Sequence, residues 1–216
     1  MAKTVTAAEM KERERAANEA GLLYIQMMEN AGRAAYAELK RRVPALRRLL
    51  IVAGKGNNGG DGFVMARVAA KEGVQVRVLL AEGEPKTADA KTNLARLAET
   101  AAEVVRDTEQ AAFGADAVVD ALYGTGFHGE LRPGGAAACA LMGRERERGA
   151  FVLALDLPSG VSADSGEVAE GAVQADATVT FDCTKPLHFA KASKPLCGAL
   201  VCADIGIGKA LGERET

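Results

Sequence analysis

The stretch Leu49-Leu-Ile-Val-Ala53, followed by Gly54-Lys-Gly-Asn-Asn-Gly-Gly-Asp-Gly62, decides the fold of this chain. Its first five residues form a short, continuous apolar run, which is typical of a parallel strand buried on both faces. The glycine-rich residues predict a loop that leads into a helix ending near Glu72, with Gly73 as its C-cap. A strand, a glycine-rich loop and a helix in this order indicate an α/β fold built on a parallel sheet.

The rest of the chain continues this alternation of helices and strands. Thr6-Ala-Ala-Glu9 has the spacing of a capping box and predicts a first helix that runs to about Ala20. The other predicted elements are helix 22–42, strand 74–81, helix 87–100, a weak strand at 104–105, strand 117–122, a helix within 136–148, and strands 151–155, 177–181 and 199–203. We therefore predict an α/β fold, a three-layer Rossmann-like sandwich with a mainly parallel central sheet and two N-terminal helices. One domain is expected over residues 1–216.

Composition argues against several classes of function. The 216 residues carry 27 Lys and Arg against 29 Asp and Glu, a formal net charge of -2, and only 4% are aromatic. This argues against a basic face or a base-stacking platform for nucleic acid. Residues 1–15 lack the apolar stretch of a signal peptide, and the longest apolar run, 136–142, is too short for a membrane span. The 4 cysteines show no C-x-x-C spacing, which indicates reduced, mostly buried thiols. We expect a cytoplasmic protein without nucleic-acid or membrane partners.

Four of the predicted strands end in polar loops, at 54–62, 120–130, 156–160 and 182–186. Ligands of an open parallel sheet bind outside the carboxyl ends of the strands, so these loops should converge on one crevice. Ten glycines follow three of the strands, and we expect them to let backbone amides approach an anionic nucleotide. They are Gly54, Gly56, Gly59, Gly60, Gly62, Gly124, Gly126, Gly129, Gly160 and Gly166.

The first loop matches G-x-G-x-x-G through Gly54, Gly56 and Gly59, with Glu82 at the end of the next strand. Taken alone, this pattern is the dinucleotide fingerprint and keeps an NAD-dependent dehydrogenase open as an alternative. Asp61 argues against it, because its carboxylate would already occupy the positive end of the helix dipole. The polar side chains of this loop also have a simpler interpretation, in which they only satisfy turn and cap positions.

Three oxygen donors at the strand ends suggest a cation site. Asn58, Asp120 and Ser159 offer an amide oxygen, a carboxylate and a hydroxyl. One carboxylate is too little charge for Ca²⁺ or Mg²⁺, so a monovalent cation fits this donor set better. Asp120 taken alone is equally well explained as a turn residue.

Asp156 is the best candidate for an acid/base group, because a half-buried carboxylate at a strand end can have a raised pKa. Lys185 would supply positive charge opposite it, although a lone lysine is more often a solvated surface charge. His128 and His188 have no neighbours at metal-ligand spacing and are interpreted as structural or incidental.

Six strings of this sequence occur together, in the same order, in one known family. They are Met28-Glu-Asn-Ala-Gly32, Gly56-Asn-Asn-Gly-Gly-Asp-Gly62, Asp120-Ala-Leu-Tyr-Gly-Thr-Gly126, Asp156-Leu-Pro-Ser-Gly160, Ala175-Asp-Ala-Thr-Val-Thr-Phe181 with Lys185, and Ala203-Asp-Ile-Gly206. From about residue 8 to residue 208, the chain therefore resembles the NAD(P)H-hydrate epimerases, the YjeF N-terminal domain family.

The resemblance implies a repair enzyme that interconverts the R and S epimers of hydrated NADH and NADPH at C6 of the nicotinamide ring. It also implies a homodimer and a functional partner, an S-specific dehydratase that is often fused behind this domain. Because this chain stops at residue 216, we expect that dehydratase to be a separate protein. The alternatives are a dehydrogenase and a non-catalytic scaffold of the same fold, although such scaffolds tend to lose the polar loop residues.

The resemblance also assigns site residues. Substrate binding falls on Asn57, Asn58, Gly59, Gly60 and Asp61, on Gly124, Thr125, Gly126, Phe127, His128, Gly129 and Glu130, and on Asp156. Potassium ligands fall on Asn58, Asp120 and Ser159, and the catalytic pair on Asp156 and Lys185. The sequence departs from the family at 13–15, which affects the expected oligomer contact, and at 182–188, which affects the geometry around the lysine.

Overall fold

Neighbouring strands of the central sheet are all parallel in the computed structural model, which describes residues 3–213. The strands are β1 Arg48–Ala53, β2 Gln75–Leu80, β3 Glu103–Val105, β4 Ala117–Ala121, β5 Phe151–Leu155, β6 Ala177–Phe181 and β7 Ala199–Ala203. The helices are α1 Ala7–Glu19, α2 Tyr24–Arg42, α3 Asn57–Lys71, α4 Ala88–Ala95, α5 Thr108–Ala111, α6 Pro133–Glu147 and α7 Ile207–Ala210. Short 3₁₀ turns lie at Arg96–Glu99, Pro186–His188 and Lys194–Leu196.

The strand order β3-β2-β1-β4-β5-β6-β7 places the turning point of the chain at the centre of the sheet. The chain runs outward from β1 to β3 and then returns to place β4 on the other side of β1. The loops after β1 and β4 therefore leave the sheet in opposite directions and open a crevice at its carboxyl edge.

Strand β1 is buried on both faces, as its apolar run predicts. Leu49 and Ile51 pack into a core that contains residues of α1, α2, α3 and α4. Leu50 and Val52 point the other way, into a second core that contains residues of α5 and α6. The sheet thus lies between two helical layers, and the predicted three-layer sandwich with two N-terminal helices is confirmed.

Most predicted elements are present, with shifted ends. Strands β5, β6 and β7 have the predicted bounds, and Thr6 caps α1 in a capping box with Glu9. The second helix begins at Tyr24 rather than at residue 22, and the predicted helix 87–100 is divided into α4 and a 3₁₀ turn. The four-residue helices α5 and α7 were not predicted, because they are too short to carry a helical period.

The predicted glycine-rich loop is wrong from residue 57 onward, because α3 begins at Asn57. Its glycines serve packing: a Cβ at Gly59 would lie 2.2 Å from the carbonyl oxygen of Gly54. The expectation that all ten glycines make room for a nucleotide is therefore also wrong. At six of them a Cβ would come within 3 Å of another protein atom, namely at Gly54, Gly59, Gly60, Gly62, Gly160 and Gly166.

The cysteine prediction is confirmed for the described residues. All four cysteines are free thiols; Cys139, Cys183 and Cys197 are buried, and Cys202 is partly buried. None of the helices within residues 3–213 combines the length and apolarity that crossing a bilayer requires.

Replacing Gly59 by Ala tests the packing of α3 on the loop after β1. We expect Gly59→Ala to lower the free energy of unfolding by about 1–3 kcal/mol, because the added methyl group meets backbone that cannot rotate away. Gly143→Ala is the matched control, since Gly143 is exposed within α6 and its Cβ would meet nothing within 4 Å. That variant should gain about 0.5–1 kcal/mol from helix propensity. Urea denaturation measures both, and equal effects at the two positions would contradict the packing role.

Candidate active site

A cleft of about 710 Å³ lies at the turning point of the chain, at the carboxyl ends of β1 and β4. Asn57 and Asn58, the first two residues of α3, line it. The N-terminus of α3 therefore meets the cleft with the positive end of its dipole, a common site for anions. Lys55 and Lys86 add cationic side chains to the same wall.

The second predicted contact stretch lines the cleft from the β4 side. Gly124, Thr125, Gly126, Phe127, His128 and Glu130 all border it. Gly129 instead borders a neighbouring depression of about 680 Å³. Gly59 and Gly60 are buried on α3, packed against Gly54 and Met28 respectively, and their contact with substrate stays a prediction.

Glu82, the acidic residue of the dinucleotide pattern, is committed to other protein groups. The Tyr123 hydroxyl donates a 2.7 Å hydrogen bond to Oε1 of Glu82, and Arg132 forms a 3.0 Å ion pair with Oε2. A carboxylate held in this way is not free to bind a ribose hydroxyl. The arrangement disfavours the dehydrogenase alternative.

Asp120 and Ser159 meet in a fully buried cluster. The Ser159 hydroxyl donates to Oδ1 of Asp120 (2.6 Å), and the Ser159 backbone N–H donates to Oδ2 (2.7 Å). Burial raises the pKa of Asp120 to about 6, against the lowering effect of these hydrogen bonds. The backbone of Tyr123 links Asn58 to this cluster. Nδ2 of Asn58 donates to the carbonyl of Tyr123 (2.7 Å), and the N–H of Tyr123 donates to the Ser159 hydroxyl (2.9 Å). The three predicted cation ligands are thus brought together.

Asp156 directly follows β5 and has an unusual backbone conformation. Its φ is 65°, in the left-handed region that non-glycine residues rarely adopt, and the N–H of Leu157 donates to the carbonyl of Leu155 across it (2.8 Å). Asp182 directly follows the neighbouring strand β6 and adopts a similar conformation, with φ 59°. Non-glycine residues held in the left-handed region are strained features that cluster at functional sites.

Lys185 is buried beside Asp156. Its Nζ donates to Oδ1 of Asp156 (2.5 Å) and to Oγ1 of Thr180 (2.9 Å), and the residue is 1% exposed. The interpretation of this lysine as a solvated surface charge is therefore wrong. Oδ2 of Asp156 accepts no hydrogen bond within residues 3–213, which leaves one oxygen of this carboxylate available for a ligand.

His188 ties the backbone of the two charged residues together. Its Nδ1 accepts from the N–H of Lys185 (2.9 Å), so its Nε2 carries the proton and donates to the carbonyl of Asp156 (3.0 Å). Burial lowers the pKa of His188, which keeps the ring neutral. His188 thus fixes the turn that carries the two charged residues, and its interpretation as a purely structural residue stays a prediction.

Asp61 on α3 and Glu14 on α1 are both close enough to this ion pair for its charges to act on their pKa values. Burial raises the pKa of Asp61 well above its ordinary value, and the charges of Asp156 and Glu14 act in the same direction. Burial also raises the pKa of Glu14, again with the help of Asp156. Lys185 opposes both shifts. Three carboxyl groups therefore share the field of one buried ammonium.

Glu14 was not predicted as a site residue, although its position in the sequence pattern of α1 could have identified it. The capping box fixes the start of α1, and Met10, Glu14 and Ala17 then follow at helical spacing on one stripe. Met10 and Ala17 are buried. A carboxylate on the apolar stripe of a helix is a candidate functional group.

The four strand-end loops do not line a single crevice. The first two border the 710 Å³ cleft, whereas Asp156 and Lys185 are outside it, beneath α1. A smaller cavity of about 360 Å³, bordered by Glu14, Asn57 and Thr125, adjoins the cleft through the last two residues. Within residues 3–213, no three His, Cys, Asp or Glu side chains are grouped as they would be to hold a metal ion.

Comparison with known proteins places these features in a family. Residues 24–187 match the family described as YjeF-related protein N-terminus. An NAD(P)H-hydrate epimerase of Pirellula staleyi is 40% identical over 206 residues, which cover 89% of this chain and 87% of that protein. The bifunctional NAD(P)H-hydrate repair enzyme Nnr of Coxiella burnetii is 36% identical over 93% of this chain. The match covers 41% of that enzyme, so this chain spans about two fifths of its length.

The fold has a solved counterpart. The crystal structure of yeast ynu0 superposes with a TM-score of 0.76 at 20% sequence identity, covering 94% of this chain and 88% of that one. At this identity the likeness establishes the fold alone, and it confirms the Rossmann-like α/β prediction.

The His188 turn predicts a pH dependence of stability. The pKa of His188 is lower in the folded protein than in the unfolded chain, where it is about 6.5. The contribution of His188 to the free energy of unfolding is therefore complete above about pH 6.5 and is lost as the pH falls below that value. We expect the wild type to lose up to about 1.4 kcal/mol per pH unit more than His188→Gln in that range. His128→Gln is the control, because His128 is exposed and its loss should leave the wild-type slope unchanged. Parallel curves for the wild type and His188→Gln, from urea denaturation between about pH 7.5 and 5.5, would contradict this role.

Proposed function

The chain belongs to the family of YjeF-related protein N-termini, and we propose that it interconverts the R and S epimers of hydrated NADH and NADPH at C6 of the nicotinamide ring. The observation that carries this proposal is the buried pair of Asp156 and Lys185, within the field of Asp61, in a chain that is 40% identical to a named epimerase over most of both lengths. The activity is an isomerisation that repairs a damaged cofactor.

Epimerisation at C6 requires proton transfer but no oxidation or reduction. C6 carries a hydroxyl group and is bonded to the ring nitrogen, so it is a hemiaminal carbon. Protonation of the hydroxyl lets water leave as the nitrogen lone pair forms an iminium ion, and water then adds to the opposite face and loses a proton. Ring opening and reclosure gives the same result and also needs an acid and a base near C6.

The site residues divide these roles. Oδ2 of Asp156 is free to accept a proton from the substrate or from the incoming water, while Oδ1 is held by Lys185 and Thr180. Asp61 lies beside this pair as a substrate-binding residue, and burial raises its pKa above that of an ordinary aspartate. The carboxylates also stabilise the transient positive charge on the ring.

The nucleotide half of the substrate fits the cleft. A volume of about 710 Å³ lies within the usual range for small-molecule sites. The N-terminus of α3, with Asn57 and Asn58, and the cationic groups of Lys55 and Lys86 supply positive potential for its phosphates. A protein with a formal net charge of -2 binds an anion by concentrating positive charge locally.

A potassium ion is proposed at Asn58, Asp120 and Ser159. Asp120 is fully buried, and its partners are hydrogen-bond donors of Ser159 and the N–H of Leu122, with no cationic side chain in the described part of the chain bonded to it. A single buried carboxylate with neutral oxygen donors nearby suits a monovalent cation. The ion would supply the positive charge that the hydrogen bonds do not.

The remaining expectations stay proposals. They are a homodimer, a cytoplasmic location, a single domain over residues 1–216, and metabolic coupling to an S-specific dehydratase. The bifunctional relatives support the coupling, because their name describes repair of the same hydrated nucleotides.

A coupled assay tests the activity. An R/S mixture of hydrated NADH is supplied to an S-specific dehydratase, with and without this protein. We expect the R half to be consumed at a rate proportional to the added protein. An R half that disappears only at its spontaneous rate would refute the proposed function.

Asp156→Asn tests the catalytic assignment. We expect it to lower kcat by about 10²–10⁴-fold, because the amide cannot exchange a proton with the substrate. Glu170→Gln is the control, since this exposed carboxylate lies on the same connection between β5 and β6. Full activity of folded Asp156→Asn would remove Asp156 from the mechanism.

Exchange of K⁺ for tetramethylammonium tests the cation site. We expect K⁺ at a hundredfold excess over its Kd to stabilise the protein by about 2.7 kcal/mol, an effect that Asp120→Asn should abolish. Asp116→Asn is the control, because Asp116 precedes the same strand at its opposite end and accepts from backbone N–H groups there. Identical thermal unfolding in the two salts would argue against a bound potassium ion.

A further inference from the structure

The strongest feature outside the assigned residues is Glu14 on α1. Its carboxylate borders the 360 Å³ cavity whose other walls include Asn57 and Thr125, and both of these also border the main cleft. Glu14 takes part in no ion pair or side-chain hydrogen bond within residues 3–213. A partly buried carboxylate without a partner is costly, which is a reason to look for a ligand.

Helix α1 is held at this position by the same loops that carry the ion pair. Before the helix, Thr4 forms a parallel bridge with Thr184, next to Lys185. At its first residue, the Ala7 N–H donates to Asp164 (2.7 Å). At the middle of the helix, Arg13 pairs with Asp182 at 2.9 Å, and both side chains are largely buried. Arg13 therefore serves a contact within the chain.

This anchoring positions the part of α1 that carries Glu14. Arg13 holds this part of the helix against the residue that follows β6, while Glu14, the next residue, borders the 360 Å³ cavity and is close enough to Asp156 and Lys185 for their charges to act on its pKa. Epimerisation needs a group that gives a proton and a group that takes one, on opposite sides of C6. Asp156 approaches from the end of β5, and Glu14 approaches from α1.

We propose that Glu14 is a second acid/base residue, which exchanges a proton with the oxygen at C6 from the α1 side of the substrate. In one direction Glu14 donates its proton to the hydroxyl group, the C6–O bond breaks and water leaves. Asp156 then takes the proton of the water that adds to the other face. The return reaction exchanges the two roles, so each turnover consumes and releases one water and one proton. This inference rests on the proposed function.

Glu14→Gln tests the inference, and Glu12→Gln is the matched control on the same helix. Glu12 is exposed and pairs with Arg15 at 2.7 Å. We expect Glu14→Gln to lower kcat by about 10²-fold or more with little change in KM, and to remove one limb of the pH–rate profile. Glu14→Asp should keep part of the rate and a shifted limb. Glu12→Gln should match the wild type.

Charged groups around Glu14 influence the pH–rate profile, because their charges act on the pKa of Glu14. They are Lys11 on α1, Asp61 on α3, Asp156 after β5, and Asp182 and Lys185 after β6.

A folded Glu14→Gln variant with wild-type kcat or an unchanged pH–rate profile would overturn the assignment. If Glu14→Gln does not fold, the Glu14→Asp profile decides: a shifted limb supports the proposal, and a superimposable one overturns it. Loss of activity only in the variants leaves the proposed function intact, whereas an inactive wild type refutes both.

Discussion

The ion pair between Lys185 and Asp156 is the interaction on which the rest of the site depends. A buried ammonium is costly unless a carboxylate and further hydrogen bonds compensate it, and removal of one partner from such a pair typically costs about 3–5 kcal/mol. Here Thr180 completes the polar contacts of Lys185, and His188 holds the backbone of both charged residues. The left-handed turn at Asp156 persists because these contacts determine it together.

This turn also connects the two halves of the site. Only Leu157 and Pro158, both buried, separate Asp156 from Ser159, whose hydroxyl and N–H donate to Asp120. We expect a cation bound at the proposed site to influence the position of the proposed acid/base group through this short, buried segment.

The sequence predicts most of the sheet, because a buried parallel strand is a continuous apolar run whose length is visible. It predicts the start of α3 wrongly, because glycine disfavours helices while the close approach of Gly59 to Gly54 can be known only from the fold. The polar residues at the strand ends follow from the rule for parallel sheets, and the structure brings Asp120 to Ser159 and Asp156 to Lys185. Glu14 was missed because that rule considers only the loops after strands.

A crystal structure with hydrated NADH bound would show directly whether C6 lies at the carboxylate cluster. We expect the C6 hydroxyl within hydrogen-bond reach, about 2.6–3.2 Å, of Asp156, Asp61 or Glu14. We expect the phosphates of the substrate at the N-terminus of α3 in this binding mode. A nicotinamide ring that lies in the cleft near Glu82 and Arg132, remote from all three carboxyl groups, would contradict it.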